Sequence, residues 1–281
     1  MHVQSAPIRP APAPWRPPLF IKASVACHLG AGLAVAAAPQ AWPWALGAVA
    51  LNHALLTGTG LWPRSTWLGS NMLRLPAAAA ARREVALTID DGPDPQVTPA
   101  VLDLLDAHGA RATFFCIAQH AQAHPHLCRE IVRRGHSVQN HSHRHRHNFS
   151  LLGLRGFSRE IEAAQDALSQ ITGERPRFFR APAGLRNPFL APVLHRLELQ
   201  LVSWTRRGFD TVRTEPARVL ARLTQALAAG DILLLHDHNG ARTTAGQPVV
   251  LEVLPALLRA FAQNGLRSVT LPDATRAELA A

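Results

Sequence analysis

The chain changes its hydrophobic rhythm once. From Leu19 to Trp62 apolar residues run almost unbroken in two stretches, "ASVACHLGAGLAVAAAP" from Ala23 and "AWPWALGAVALNHALLTGTGLW" from Ala41. A helix needs about 20 apolar residues to cross a bilayer. The second stretch has that length by itself, and the first has it only if it begins near Leu19 and tolerates Lys22. Between them lies only "APQAWP", Ala38 to Pro43, which carries no charge. The pattern predicts a tight, membrane-associated helical hairpin and linker over residues 19–80, after an irregular, basic, Pro-rich tail over 1–18.

From Arg82 onward the rhythm becomes alternating strands and helices. "VALTI", "ATFFCI", "SVQN", "RFF", "QLVSW", "DILLLH" and "RSVTL" read as strands. Thr98-Pro99 caps and starts a helix that Gly109 stops, and Pro125 opens "HLCREIVRRG". A helix lies near Ser158–Thr172, and Asn187-Pro188, Pro216 and Pro248 open three more. Seven strands separated by helices imply a parallel sheet over residues 81–281, either a closed barrel or an open doubly wound form. Neither an internal repeat nor a glycine-rich phosphate loop interrupts it.

Charge sharpens the membrane reading. The net charge is +10, yet no acidic residue precedes Glu84, while Arg9, Arg16, Lys22, Arg64, Arg74, Arg82 and Arg83 do. Most of the excess therefore flanks the apolar hairpin, as expected beside anionic lipid. Without a basic-aromatic stripe elsewhere, nucleic acid is not an expected partner. Both flanks of the hairpin are basic, which the positive-inside rule reads as a cytoplasmic catalytic domain on an inner membrane of bacterial type. A single anchor with the domain outside, or a monotopic hairpin, is the competing arrangement. Cys27, Cys116 and Cys128 have neither metal nor redox spacing and read as small core residues, which favours a reducing compartment.

Four polar clusters fall at strand ends, where parallel α/β folds gather ligands. In "TIDDGPDP", Asp90 and Asp91 are adjacent carboxylates that a cation would relieve, leaving one as ligand and one as base. A solvated turn is the plainer reading of that motif alone. "NHSHRHRHNF" offers two pairs of histidines four residues apart, His141/His145 and His143/His147, and spacing does not choose between them. Arg180, after two phenylalanines, suits holding a carboxylate ionised. His236 emerges from the apolar run "ILLL", where burial and a nearby carboxylate would tune it as an acid.

Taken in order, "TIDDGP", "NHSHRH", "RAPAG" and "LLLHD" resemble the NodB-type polysaccharide deacetylases, carbohydrate esterase family four. The likeness runs from about Glu84 to Leu271. It implies a distorted (β/α)7 barrel that removes N-acetyl groups from amino sugars, with a divalent metal, usually zinc, on one Asp and two His. The family pattern selects Asp91, His141 and His145 as ligands and leaves His143 and His147 as bystanders or rim residues. It also implies Asp90 as the base that takes a proton from the attacking water, oriented by Arg180, and His236 as the acid that protonates the departing amine. A backbone N–H near Ala183, within Pro182–Ala183–Gly184, would stabilise the oxyanion, beside Trp204.

Two departures bear on the substrate. Ala183 stands where the family usually has an aromatic residue. In "SWTRRGFDT", Asp210 is the carboxylate expected to tune His236, but Thr211 stands where Trp is usual. Lost stacking surface and the hairpin together point to a lipid-linked amino sugar or glycolipid precursor, by a chemistry similar to that of aminoarabinose-lipid deformylases. The alternatives are a periplasmic deacetylase of peptidoglycan or exported polysaccharide, and a non-catalytic, membrane-anchored carbohydrate-binding protein.

Overall fold

A computed structural model of the protein describes residues 14–276. The expected tail falls mostly outside the described residues, and Pro14 to Pro18 have no regular structure. Helices α1 (Leu19–Ala37) and α2 (Trp42–Gly60) follow, each of 19 residues, joined by a single turn of 3-10 helix at Pro39–Ala41. They pack antiparallel through their few polar groups. Asn52 donates to Ser24 Oγ at 2.9 Å, and the His28 and His53 rings meet at 3.2 Å. Around this seam Val25, Leu29, Leu33, Leu46, Leu51 and Leu55 are exposed, so apolar residues surround the pair instead of lying on one face.

By length and hydropathy α1 is the one described helix that qualifies as a membrane span. This reverses the sequence expectation, in which the second stretch was the better candidate. α1 does begin at Leu19 and so gains its full length, whereas the Trp and Pro at the start of α2 and its Asn52–His53 pair lower its hydropathy.

After α3 (Ala77–Ala81) the chain enters a curled, all-parallel sheet. Its strands are β1 (Glu84–Asp90), β2 (Ala112–Cys116), β3 (Ser137–Asn140), β4 (Phe178–Phe179), β5 (Gln200–Leu201), β6 (Arg206–Arg207), β7 (Ile232–His236) and β8 (Arg267–Ser268). They lie in the order β5-β4-β3-β2-β1-β7-β6, with β8 pairing the start of β1. The helices between them are α4 (Thr98–Ala107), α5 (Ala118–Ala123), α6 (Pro125–Arg133), α7 (Leu154–Thr172), α8 (Leu190–Arg196), α9 (Pro216–Thr224), α10 (Val249–Gln263) and α11 (Leu271–Ala274).

This is the distorted barrel expected, with eight strands among the described residues instead of seven. The extra one, β6, was illegible because "TRRGF" has no apolar alternation. Two helix starts also differ. Thr98 is not a cap; its hydroxyl donates to buried Asp237 at 2.5 Å, while Asp94 Oδ1 accepts from the N–H groups of Gln96 and Val97. Asn187 opens the turn that leads into α8, its Oδ1 accepting from the Phe189 amide at 2.9 Å, but the helix itself begins at Leu190, and the Asn187 side-chain amide is held by the carbonyls of Ser150 and Leu152.

The alternation within β1 explains how the barrel is filled. Val85, Leu87 and Ile89 point outward into the main core, against Val101, Leu105, Leu254 and Leu257 of the helices. Ala86 points inward to a small plug with Phe115, Phe178, Val202 and Ile232, which closes one end. Thr88 and Asp90 share the inward face above it, and β7 repeats the pattern with Leu233 and Leu235 outward. A third cluster, around Phe149, Phe157 and Phe179, sits under the loops that follow β3 and β4.

The sheet is open between β5 and β6, and the chain itself bridges the gap. The amides of Val202, Ser203 and Thr205 bond the carbonyls of Phe179, Met72 and Ile232 in turn. Residues after α2 join this seam, since Met72 bridges to Val202 and Ser203 Oγ donates to the Pro63 carbonyl at 2.7 Å. The hairpin is therefore anchored at the edge of the barrel nearest to Gly184, where an added Cβ would stand 2.6 Å from Pro63.

Candidate active site

The carboxyl ends of β1, β2, β3 and β7 converge on a cavity of about 440 Å³. Asp90, Asp91, His141, His145, Ala183, Gly184, Trp204 and His236 all line it. Sheet register does the first part of the work, because the parallel pairing sets Asp90 directly beside His236.

Asp91, His141 and His145 come together as one cluster, each offering one ligand atom within 4.8 Å of the others. His141 Nδ1 lies 2.8 Å from the Arg180 carbonyl, an acceptor only, so that nitrogen carries the proton. In the neutral ring Nε2 is then a bare lone pair, and it faces Asp91 Oδ1 at 3.2 Å. His145 Nε2 approaches the same oxygen at 3.4 Å, and this buried oxygen has no hydrogen-bond partner among the described residues. Three electron pairs aimed at one point, with no donor between them, fit a divalent cation. The other pair does not assemble. His147 lies on the cavity rim, while His143 is not part of the lining and its Nδ1 is buried without a partner among the described residues.

The supporting contacts make this cluster rigid. Asn140 Oδ1 accepts from the Ser142 amide at 2.8 Å, and Ser142 Oγ accepts from the His145 amide at 3.0 Å. This tight turn brings two imidazoles four residues apart onto one side. The Asn140 amide is anchored in turn by Gln165 at 2.9 Å. Asp91 (φ 76°), Ser142 (φ 65°), His145 (φ 48°) and Ala183 (φ 54°) are all left-handed. Such conformations cost about 1–3 kcal/mol each and concentrate at functional sites. Gly92 is obligatory, because a Cβ there would lie 2.3 Å from Asp237 Oδ1.

Arg180 is not part of the cavity wall. It is 1% exposed and fills the space behind Asp90, at the seam where the barrel is open. Its Nη1 donates to Asp90 Oδ1 at 2.6 Å and to Thr88 Oγ1 at 2.7 Å. Its other nitrogens bond the Val202 and Ser203 carbonyls at 3.3 and 3.1 Å, and its guanidinium lies 4.2 Å from the Phe115 ring centre. Asp90 is thereby held by one oxygen, while Oδ2 turns toward His141 Nε2 at 3.8 Å.

Asp210 is likewise behind the wall. It is fully buried, with Oδ2 accepting from the His236 amide at 2.8 Å and Oδ1 3.0 Å from His236 Nδ1. Burial pulls the His236 ring toward neutrality, but the charge and hydrogen bond of Asp210, with Asp90 and Asp91 beyond, raise its pKa above the usual histidine value. His236 Nε2 is thus the acidic end of a fixed ring. Burial raises Asp91, yet when the neighbouring rings are protonated the His141 contact and the charges of His141, His236 and His145 hold its carboxyl well below the ordinary range. Burial lowers His145 to about 4, helped by the charge of His141.

Pro182 is buried and is not part of the cavity lining, so of the expected oxyanion loop Ala183 and Gly184 face the cavity. Trp204 lines it too, with the guanidinium of Arg207 at 5.3 Å from its ring centre. The sequence reading missed His120, Arg144, Arg207, His238 and Asn239, all of which line the same space. His238 had a signal, since it lies in "LLLHDH" and pairs at 2.9 Å with Asp94 of "DDGPDP". Arg144 and Arg207 had none, being ordinary arginines until the fold set them beside the cavity.

The model of the family described as "Polysaccharide deacetylase" matches residues 77–202. A chitooligosaccharide deacetylase from Bradyrhizobium sp. is 34% identical over 197 residues, covering 68% of this chain and 90% of its own. A peptidoglycan-N-acetylglucosamine deacetylase from Bacillus cereus is 28% identical over 194 residues, 68% of each chain. Among solved structures, a family 4 carbohydrate esterase from Streptomyces lividans is 32% identical with a TM-score of 0.59, covering 66% of this chain and 91% of that one. The motif order, the curled parallel sheet and these likenesses agree: the chain belongs to the polysaccharide deacetylase family, of the NodB type, and is a hydrolase of carbon–nitrogen bonds.

Proposed function

We propose that the protein is a metal-dependent deacetylase of an N-acylated amino sugar. One observation carries this reading: a carboxylate fixed by Arg180 and an imidazole fixed by Asp210 face the same cavity from adjacent strands, beside three converging ligand atoms. Asp91, His141 and His145 would hold a divalent cation, with Zn²⁺ the best match to two imidazoles and one carboxylate. When bound, such an ion polarises the amide carbonyl and acidifies water.

The chain's own groups supply the proton movements. Asp90 Oδ2 takes a proton from the attacking water as its oxygen adds to the amide carbon. Arg180 keeps Asp90 aimed and charged without touching substrate. The oxyanion that develops lies against the backbone at Ala183, whose left-handed conformation sets the direction of its N–H. The His236 ring then gives its proton to the nitrogen as the carbon–nitrogen bond breaks, leaving a free amine and a carboxylate. Asp210 stabilises the charged ring in the meantime. Purified Asp90→Asn should keep its metal by elemental analysis and lose about 10²–10⁴-fold in turnover, and His141→Ala should lose the metal. Full turnover in Asp90→Asn rejects the mechanism.

Within this chemistry, a lipid-linked amino sugar on the cytoplasmic side of an inner membrane is the proposed substrate. Trp42 and Trp44 are exposed at one end of the hairpin and Trp62 and Trp67 at the other, as interfacial anchors would be. Basic residues flank only the end that carries the catalytic domain. The relatives named for chitooligosaccharide and peptidoglycan support N-acetylglucosamine as the sugar. Reporters of cytoplasmic and external location fused after Ala281 test the side. External activity rejects the lipid precursor on that face and makes an exported glycan the substrate.

A further inference from the structure

A second cavity, of about 540 Å³, lies between the hairpin and the barrel mouth. Ile21, Val25 and Leu29 of α1 and Leu56 of α2 form one side, with Leu151 and Phe189 from the loops after β3 and β4 opposite. Part of its wall is α1, the described helix long and apolar enough to cross a bilayer. Its floor is polar. Arg186 is 4% exposed; its Nη2 donates to the Ser65 carbonyl, while its Nε is buried with no partner among the described residues. Burial lowers this guanidinium to about 10, so it is charged at any physiological pH. The hydrogen-bonded His28 and His53 rings line the same groove. Polar and ionisable groups in such positions are expensive and mark ligand sites by default.

Two chain segments connect this groove to the catalytic cavity. One runs from Ala183 and Gly184, which line the cavity, to Arg186–Phe189, which line the groove. The other runs from His147 on the cavity rim to Ser150 and Leu151 in the groove. Gly184 and Arg186 are two residues apart, so their Cα atoms are separated by at most about 7 Å. That is a step of sugar-to-phosphate size. The Arg186 amide also donates to the Gly60 carbonyl at the end of α2 at 3.1 Å, which fixes the hairpin to this loop.

We propose that this groove seats the hydrocarbon tail of the substrate itself, an amino sugar joined through phosphate to an isoprenoid chain, with Arg186 receiving the linking phosphate. The inference rests on the deacetylase reading and adds to it a place for the lipid. Charge complementarity selects this occupant, since a tail without an anion would leave the Arg186 charge buried with a backbone carbonyl and no anionic partner among the described residues. Filling the groove removes the preference for the lipid-linked form.

The test uses the full chain in nanodiscs and two probes, polyprenyl-diphosphate-linked N-acetylglucosamine and the water-soluble chitotetraose. Leu56→Trp and Arg186→Gln should each lower the ratio of kcat/KM for the lipid-linked probe to that for chitotetraose by tenfold or more. A photoactivatable polyprenyl phosphate should cross-link to residues 25–29 and 53–57, and excess lipid-linked sugar should displace it where phosphatidylethanolamine does not. Cross-linking does not require turnover, so it still reads out if a variant is inactive. An unchanged ratio in folded Leu56→Trp, or equal displacement by phospholipid, overturns the proposal. Absence of deacetylation of both probes by the metal-loaded wild type overturns the deacetylase reading instead.

Discussion

Arg180 is the residue on which the barrel's opening and its chemistry both depend, and its removal has a calculable cost. Replacement by Leu keeps much of the volume against Phe115 but deletes the cation and its donors. Asp90, 2% exposed, then loses its 2.6 Å partner, and Thr88 and the Val202 and Ser203 carbonyls lose theirs. Breaking a buried ion pair from one side costs about 3–5 kcal/mol. In a domain of this size each kcal/mol is worth roughly 2–4 °C, so Arg180→Leu should lower Tm by roughly 6–20 °C. Most of that cost is the orphaned carboxylate. Thermal unfolding of Arg180→Leu, Asp90→Asn and the double variant separates the parts. The double variant should be more stable than Arg180→Leu alone, with a coupling of about 1–3 kcal/mol. A Tm for Arg180→Leu within about 2 °C of wild type, or a double variant no more stable than the single, refutes the view that Arg180 exists to hold Asp90 charged.

Two further outcomes depend on pH. His236 must be protonated to act as the acid, and Asp210 raises its pKa against the effect of burial. Asp210→Asn should therefore move the basic limb of the kcat profile to lower pH, with activity at pH 8 falling more than at pH 6; an unmoved limb assigns the acid to another group. Elsewhere, burial and the charge of Arg111 lower His136 from 6.5 to about 4, and its Nδ1 accepts from the Ala112 amide at 3.2 Å. The unfolded chain binds this proton first as pH falls, so stability is lost between pH 6.5 and about 4, by about 3 kcal/mol. Denaturant unfolding of His136→Gln should show a shallower loss over that window, and an identical slope rejects the assignment.

Much of the site was legible in the sequence because its parts are local. Asp90 and Asp91 are adjacent, each motif ends a strand whose apolar run can be read directly, and His141 and His145 share one turn, although only the family pattern chose them over His143 and His147. Hydrophobic rhythm likewise separated an apolar hairpin from an alternating α/β domain, since burial acts on periods of 2 and 3.6 residues. What tertiary structure decided are the pairings across long separations. Arg180 reaches Asp90 across 90 residues, and Asp210 reaches His236 across 26. Both contacts follow from strand register and from a bridging segment, 202–205, that has no periodicity to read. The exchange of span quality between α1 and α2, the burial of Pro182 behind the cavity and the buried charge of Arg186 are of the same kind. Local sequence sets which groups sit at a strand end, whereas which distant group shares their low-dielectric space depends on how the sheet closes.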